Sequence, residues 1–458
     1  MADPLKFISP LDFRYAKREL KEKAMRYLSE GAKIRYELEV EAAYIKALAE
    51  MHICPKEIVK EVEQASKSIT AEHVQKEEEK TRHETKALVN CLKASVSERA
   101  KPFIHLGLTS CDVIDTANAL RYKHFVTEAL IPELRALERL LIELALRHKA
   151  TVQIGRTHGQ HAEPITFGFA LAEYVHRLGT RIVEIESKSN ALHGKISGCV
   201  GAYNAIALFC RDAEKLEELT LKFLGLKPAR YSTQIVPREP LADFMHALIS
   251  TMGVLANLAD DFRHLQRSEI AEVAEFFASE QVGSSTMPHK RNPVAFENIK
   301  SFWKAFAPRM LTVYMDQISE HQRDLTNSAS ERFIPEILFA CLYVSHRTKN
   351  ALAKLYVDEE AMLRNLKSAS NRIVAEPLYI LLALQGMPNA HEEIRRLALR
   401  AGNESLLELA LKDKLLKKYL DNIPEEKLAL LREPSRYTGF AERKTEKICG
   451  YWKKKLGL

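Results

Sequence analysis

Apolar residues recur along much of this chain at spacings of three and four, the period of a helix with one buried stripe. Leu130, Leu134, Leu137, Leu141 and Leu144 form one heptad-like seam, and Leu241, Met245, Leu248, Met252, Leu255, Leu258, Phe262 and Leu265 hold the same rhythm over several turns. A stripe of that length is too long for a small globule to bury. It needs other long helices beside it, as in a bundle or coiled coil, and further subunits are one source of them. The pattern therefore predicts an all-α protein with a long-helix centre and an obligate oligomer.

Texture changes twice along the chain. Residues 1–111 carry short amphipathic helices and a charged run at Lys76–Lys80, residues 112–366 carry the long periodic segments, and residues 367–458 return to shorter helices. Breaks at Gly386-Met387-Pro388, Ala401-Gly402-Asn403, Pro424 and Pro434 punctuate the last region. Three helical domains with those boundaries are expected, consistent with a length of 458 residues. Glycine and proline number only 17 each, below common usage, which again favours helix.

Charge and cysteine usage narrow the function classes. The net charge of +7 is spread out, and its densest run is Lys453-Lys454-Lys455. No basic stripe interleaved with aromatics appears, so a nucleic-acid partner is not expected, whereas a small anionic substrate suits the excess. The seven cysteines are scattered without a CxxC pair, as in a reduced, cytoplasmic protein. Met1–Pro10 lacks a long apolar core and no apolar run approaches a membrane span, so neither leader nor membrane association is expected.

Chemistry concentrates in a few polar islands. Residues 283–293 read Gly-Ser-Ser-Thr-Met-Pro-His-Lys-Arg-Asn-Pro. Gly283 admits positive φ, Pro288 and Pro293 stop a helix, and the run presents Ser284, Ser285, His289, Lys290 and Asn292 to something anionic. An ordinary polar linker is the plainer alternative. Gly155–Pro164 reads as a turn just before a helix beginning near Thr166, an anion site with Arg156 adding charge and His158 suited to proton transfer. A structural histidine is the alternative there; a metal pair with His161 is disfavoured because its spacing is i+3 in a non-helical stretch.

Four further islands stand out, three of them with two readings each. Thr81-Arg82-His83-Glu84 closes the charge run and reads equally as a solvated helix face. Thr109, Ser110 and Asp112 suit a helix cap as well as an anion. Ser232–Arg238 is a short connection rich in hydrogen-bonding groups, and Ser328–Arg332 suits a phosphate or carboxylate clamp or a capping segment. Gly194, Gly198 and Gly201 match neither nucleotide-loop spacing.

Residues 283–293 match in full the signature of the fumarase/aspartase superfamily, Gly-Ser-Ser-x-Met-Pro-x-Lys-x-Asn-Pro. With Ser9–Tyr15, Arg82-His83-Glu84, the Gly-Leu-Thr-Ser-x-Asp-Val-x-Asp-Thr stretch at 107–116, Gly155–Pro164 and Ser232–Arg238, nearly the whole chain resembles its adenylosuccinate lyase branch. Two departures stand out. Glu84 occupies a commoner Asp, and Ala375-Glu376-Pro377 stands where many bacterial members carry a Ser-x-Arg anchor, Ser370-Asn371-Arg372 lying too early to replace it.

The resemblance implies an all-α fold whose central five-helix bundle assembles into a tetramer, each active site drawing on three chains. It implies cleavage of adenylosuccinate to AMP and fumarate, and of SAICAR to AICAR, in purine nucleotide biosynthesis, with no metal and no cofactor. Ser284 is the implied base, with Lys290 and backbone N–H groups stabilising its alkoxide, and His158 the implied acid. His83 would orient the leaving group or a carboxylate, and Glu297 would hold His158 in its working tautomer. Lys290, Asn292, Thr109 and Ser110 would take the succinyl carboxylates, and Arg14, Tyr15, Arg323, Ser328 and Arg332 the nucleotide, mostly its phosphate. Arg82, Glu84, Gln234 and Ser285 join the substrate contacts through the same motifs. A different lyase of the superfamily, or a catalytically silent helical scaffold, are the competing readings.

Overall fold

The computed structural model describes residues 8–15, 17–277, 286–287, 289–402 and 404–458. The chain forms two compact units. One comprises the described residues of Met1–Leu134, Thr180–Gly253 and Ser301–His346; the other comprises those of Arg135–Gly179, Val254–Lys300 and Arg347–Leu458. Among the described residues, five helices contribute to both units: Ile131–Arg147, Phe167–Asn190, Glu239–Leu265, Val294–Phe306 and Ile334–Leu352.

Both predicted seams are buried. Leu130, Leu134, Leu137 and Leu141 are inaccessible to solvent and Leu144 nearly so, while Met245, Leu248, Met252, Leu255 and Leu258 are likewise inaccessible. Only the ends of the second seam, Leu241 and Leu265, are half-buried. By length and composition Glu239–Leu265 could also cross a membrane, but its apolar window is 67% buried within the fold, as a core helix is.

In the first unit two helices open on side-chain caps. Ser29 Oγ accepts the Ala32 N–H at 3.1 Å to open Glu30–Glu50, and His83 Nδ1 accepts the Lys86 N–H at 3.2 Å to open Glu84–Ala94. The wall of Glu30–Glu50 formed by Val40, Tyr44, Ile45, Ala47 and Leu48 is fully buried.

The second unit carries the strands. β1 (Val152–Thr157) and β2 (Gln160–Thr166) form an antiparallel hairpin, and β3 (Val273–Ala274) pairs with β4 (Tyr356–Val357). Phe167 follows β2 directly and begins a helix, where Gly168 approaches the end of Ile131–Arg147 so closely that a Cβ would lie 2.3 Å from Ala145 O. Beyond Val374, short helices enclose a core of their own that includes Leu378, Leu382, Ile394, Leu406, Ala410 and Leu420.

One buried side chain runs against this economy. Glu138, on Ile131–Arg147, is fully buried with no hydrogen-bond partner for either carboxylate oxygen, and burial pushes its pKa from 4.5 up to about 9. A folded-state pKa above the unfolded one gives a site that is most favourable below pH 4.5 and loses stability as pH rises toward 9. Glu138→Leu should therefore raise stability at pH 8, by on the order of 2 kcal/mol, and show little of that gain at pH 4. Urea unfolding at the two pH values checks this; equal gains at both would mean that the carboxyl pays no ionisation cost.

Candidate active site

Gly155–Pro164 is a β-hairpin and not the pre-helical turn expected from its glycines and proline. Thr157 pairs with Gln160, leaving His158 (φ 54°) and Gly159 (φ 74°) as a two-residue connection. Positive φ at both central residues is the turn whose twist suits an antiparallel pair, and histidine tolerates it better than most side chains. His158 is thus exposed at a hairpin tip, nine residues before Phe167 and separated from the helix that starts there by the whole of β2. Arg156 is not free to bind an anion either. It forks onto Glu272, with Nη2 2.5 Å from Oε1 and Nη1 3.2 Å from Oε2.

Glu272 is completely buried and fully satisfied, since Gln153 Nε2 donates to Oε2 at 2.7 Å and Asn365 Nδ2 to Oε1 at 2.8 Å. Its carbonyl also accepts the Asp358 N–H at 3.0 Å, next to the β3–β4 pair. One carboxylate thereby fixes the base of the hairpin to two other segments of the unit. His161 faces Arg156 across the hairpin, and burial, followed by the Arg156 charge, lowers its pKa. Among the described residues no cluster of three or more His, Cys, Asp or Glu is arranged to hold a metal ion.

Ser284 and Ser285 lie outside the described residues. Lys290 is exposed, with its N–H on Met287 O at 3.1 Å. Asn292 O accepts the Val294 N–H at 2.9 Å, and Glu297 is exposed in the first turn of Val294–Phe306. Within the chain His158 and Glu297 are not hydrogen-bonded to each other.

The first unit gathers the other candidates. Asp112 is wholly buried and paired with Lys195, itself inaccessible to solvent. The same carboxylate accepts N–H groups of Thr109 (2.8 Å), Ser197 (3.0 Å) and Gly198 (3.2 Å). Thr109 and Ser110 are therefore both a helix start and a fixed, half-buried platform. Arg82 (φ 52°) ends Ala71–Thr81 in the left-handed region and leaves His83 exposed beside it. Glu84 pairs with Lys33 and, at 3.4 Å, with Nη2 of Arg332. The extra methylene relative to Asp lets this carboxylate reach both cations.

Gln234 and Arg323 also meet. Arg323 Nη1 donates to Gln234 Oε1 at 3.2 Å, and the Gln234 N–H donates to Gln322 O at 3.2 Å. Ser328 is exposed, one turn from Arg332. Arg14 is exposed, whereas the Tyr15 ring packs edge-on against Phe302 (4.6 Å between centroids) and Tyr343 (5.3 Å). The packing leaves Tyr15 as a half-buried support for the segment that carries Arg14.

The departing stretch Ala375-Glu376-Pro377 opens a helix in the second unit, while Ser370 donates to Leu366 O within its own helix. Glu376 has its pKa raised to about 7, first by a hydrogen bond with Glu163 of β2 and then by burial. Tyr437 Oη also donates to Glu163, at 3.5 Å.

Comparison with known proteins assigns the family. Residues 13–304 match the family model described as lyase, and residues 319–438 match the model described as adenylosuccinate lyase C-terminal. An adenylosuccinate lyase of Pyrococcus horikoshii is 37% identical over 452 residues, covering 97% of this chain and 98% of its own. That of Bacillus subtilis is 36% identical over 368 residues, covering 80% and 83%. The chain belongs to the adenylosuccinate lyase family.

Solved structures extend the likeness of the fold beyond that family. A fumarate lyase from Mesorhizobium aligns with TM-score 0.82 at 24% identity, covering 95% of this chain and 98% of the other. A 3-carboxy-cis,cis-muconate lactonizing enzyme from Pseudomonas putida gives 0.84 at 24%, covering 97% and 98%. The all-α fold expected from the seams, and the fumarase/aspartase-like fold that the resemblance implies, are the ones found.

Several residues of this adenylosuccinate lyase family member escaped the sequence reading: Glu272, Lys195 and Lys33, while Arg238 was seen as the end of an island but given no role. Each has a partner remote in sequence that local spacing does not reveal. Glu272→Ala should cost roughly 3–5 kcal/mol, because it strands Arg156 without its counter-ion. Turnover should fall with it as the His158 hairpin loses its anchor. Denaturant melts and steady-state rates check both, and wild-type stability in this variant would overturn the anchor.

Proposed function

We propose that this chain catalyses elimination of fumarate from adenylosuccinate, giving AMP, and from SAICAR, giving AICAR, in purine nucleotide biosynthesis. The match of residues 319–438 to the adenylosuccinate lyase C-terminal family carries the choice among superfamily reactions, because the lyase match at 13–304 fits all of them. The Arg14, Arg82-His83 and Gln234–Arg323 elements support the same choice.

In this reading Ser284 removes the proton from the carbon next to a succinyl carboxylate. The electron pair left behind forms the fumarate double bond, the C–N bond breaks, and His158 delivers a proton to the departing nitrogen. Serine is a weak base at its ordinary pKa, so Lys290 and backbone N–H groups must stabilise the alkoxide. Lys290, Asn292, Thr109 and Ser110 bind the succinyl carboxylates; Arg14, Arg323, Ser328 and Arg332 hold the nucleotide, with Tyr15 supporting Arg14. Glu297 orients His158, and His83 orients the leaving group, with Arg82, Glu84, Gln234 and Ser285 completing the contacts.

We also propose a homotetramer in the cytoplasm, with sites shared between subunits. Exposed Leu311, Met315, Ile318 and Leu325 supply apolar surface for such contacts, and seven unpaired cysteines suit a reducing compartment. A shared site is also compatible with His158 and Glu297 of one chain making no hydrogen bond to each other.

Incubating the purified protein with adenylosuccinate should yield AMP and fumarate, read by absorbance and chromatography. Turnover of argininosuccinate or malate without any on adenylosuccinate would sink the assignment. Ser284→Ala should abolish turnover while retaining substrate binding, and near-normal rates would reject Ser284 as the base. Light scattering reads the tetramer.

A further inference from the structure

Arg238 stands immediately before the helix Glu239–Leu265, and its carbonyl accepts the Ala242 N–H at 2.9 Å. Its guanidinium reaches two carboxylates from different parts of the first unit. Nη2 lies 2.5 Å from Glu331 Oε1 and 3.9 Å from Asp115 Oδ1. All three side chains are substantially buried, Arg238 at 12% exposure, Asp115 at 2% and Glu331 at 23%. Asp115 in turn accepts the Val236 N–H at 2.9 Å.

These bonds join the two segments on which the nucleotide end of the site depends. Glu331 sits between Ser330 and Arg332 in the 3₁₀ turn Ser330–Phe333, three residues after Ser328. Val236 and Arg238 close the connection that carries Gln234. We propose that Arg238 is a positioning residue for phosphate recognition: by bridging Asp115 and Glu331 it holds Ser328 and Arg332 in register with Gln234 and Arg323. The inference rests on the reading of Ser328 and Arg332 as phosphate contacts.

The physical argument is one of charge and reach. Removing the cation leaves two buried carboxylates facing each other, and their repulsion acts on the short turn, the less constrained of the two elements. A displacement of even 1 Å there separates Arg332 from a phosphate that a bidentate guanidinium must meet squarely. Lysine keeps the charge but ends in a compact ammonium on a different stem, so it restores the bridge only in part. The bridge also lines a cavity of about 400 Å³, with Asn118, Tyr122 and the exposed Tyr231 on its walls, so a small cation can enter from solvent.

The test compares adenylosuccinate with the corresponding nucleoside that lacks the phosphate, in wild type, Arg238→Ala, Arg238→Lys and Glu331→Gln. In Arg238→Ala, kcat/KM for adenylosuccinate should fall on the order of tenfold to a hundredfold, mainly through KM, with a much smaller loss on the nucleoside. Ethylguanidinium should restore part of that loss in Arg238→Ala and do nothing for wild type. The same narrowing of phosphate preference should appear in the near-isosteric Glu331→Gln, and Arg238→Lys should fall between wild type and Arg238→Ala.

Equal loss on both substrates, or a loss confined to kcat, would show a merely structural role and overturn the proposal. So would an unchanged preference in a folded Glu331→Gln, should Arg238→Ala fail to fold. Wild-type protein inactive on adenylosuccinate would refute the proposed function by itself. The ratio of AMP to adenosine affinity, measured by calorimetry on the same proteins, then reads the bridge without turnover, and an unaltered ratio in the variants overturns it.

Discussion

The buried pair of Asp112 with Lys195 is the interaction on which the placement of the first unit's candidate site residues depends. Neither side chain is accessible to solvent, and isolated burial of either charge would cost several kcal/mol. What makes the pair tolerable is that Asp112 also collects N–H groups from Thr109, Ser197 and Gly198. All of those partners must arrive together, so the start of one helix and a distant irregular stretch are fixed as a single object. Glu272 does the same for the His158 hairpin, through Arg156, Gln153 and Asn365. Helices supply the rigid framework, many of the candidate site residues stand at helix starts or on short non-helical segments, and buried carboxylates join the two.

That device separates two kinds of buried acid. Asp112 and Glu272 have every need met, and they add rigidity where it is used. Glu138 meets none, and burial holds it neutral across the neutral pH range. Glu37 is intermediate: burial raises its pKa to about 7 while Lys33, 3.7 Å away, pulls in the opposite direction. Lys33 is shared with Glu84, so the unusual glutamate at position 84 belongs to a charge set that extends inward from Arg332.

Helix periodicity was readable because it is local. The leucines of the first seam, and all but the ends of the second, are buried, and the helix start at Thr109 follows from residue type and spacing. The hairpin was missed because Gly155, Gly159 and Pro164 read as turn punctuation. His158-Gly159 in fact occupies the two positive-φ positions that a tight connection demands. Motif residues such as Gln234, Arg323 and Arg332 were visible, but their supports were not. Arg156 and Glu272 are 116 residues apart, and Lys195 and Asp112 are 83 apart. Pairings across such separations follow no period, so they become legible only once the helices have been placed.

Placing the proposed acid on a hairpin and the proposed base on a glycine-led run divides the catalytic demands sensibly. A proton donor must be aimed within a few tenths of an ångström, and a two-residue turn between paired strands, clamped at its base by Glu272, leaves His158 few backbone states to lose on binding. The positive φ at His158 is a cost that the surrounding pairing covers and that a free loop would relax away. A serine base has the opposite requirement, because its alkoxide is worth forming only where donors and Lys290 surround it and water does not. The proposed acid therefore needs aim and the proposed base needs a dry, donor-lined surrounding, two demands that separate segments of the chain can meet independently.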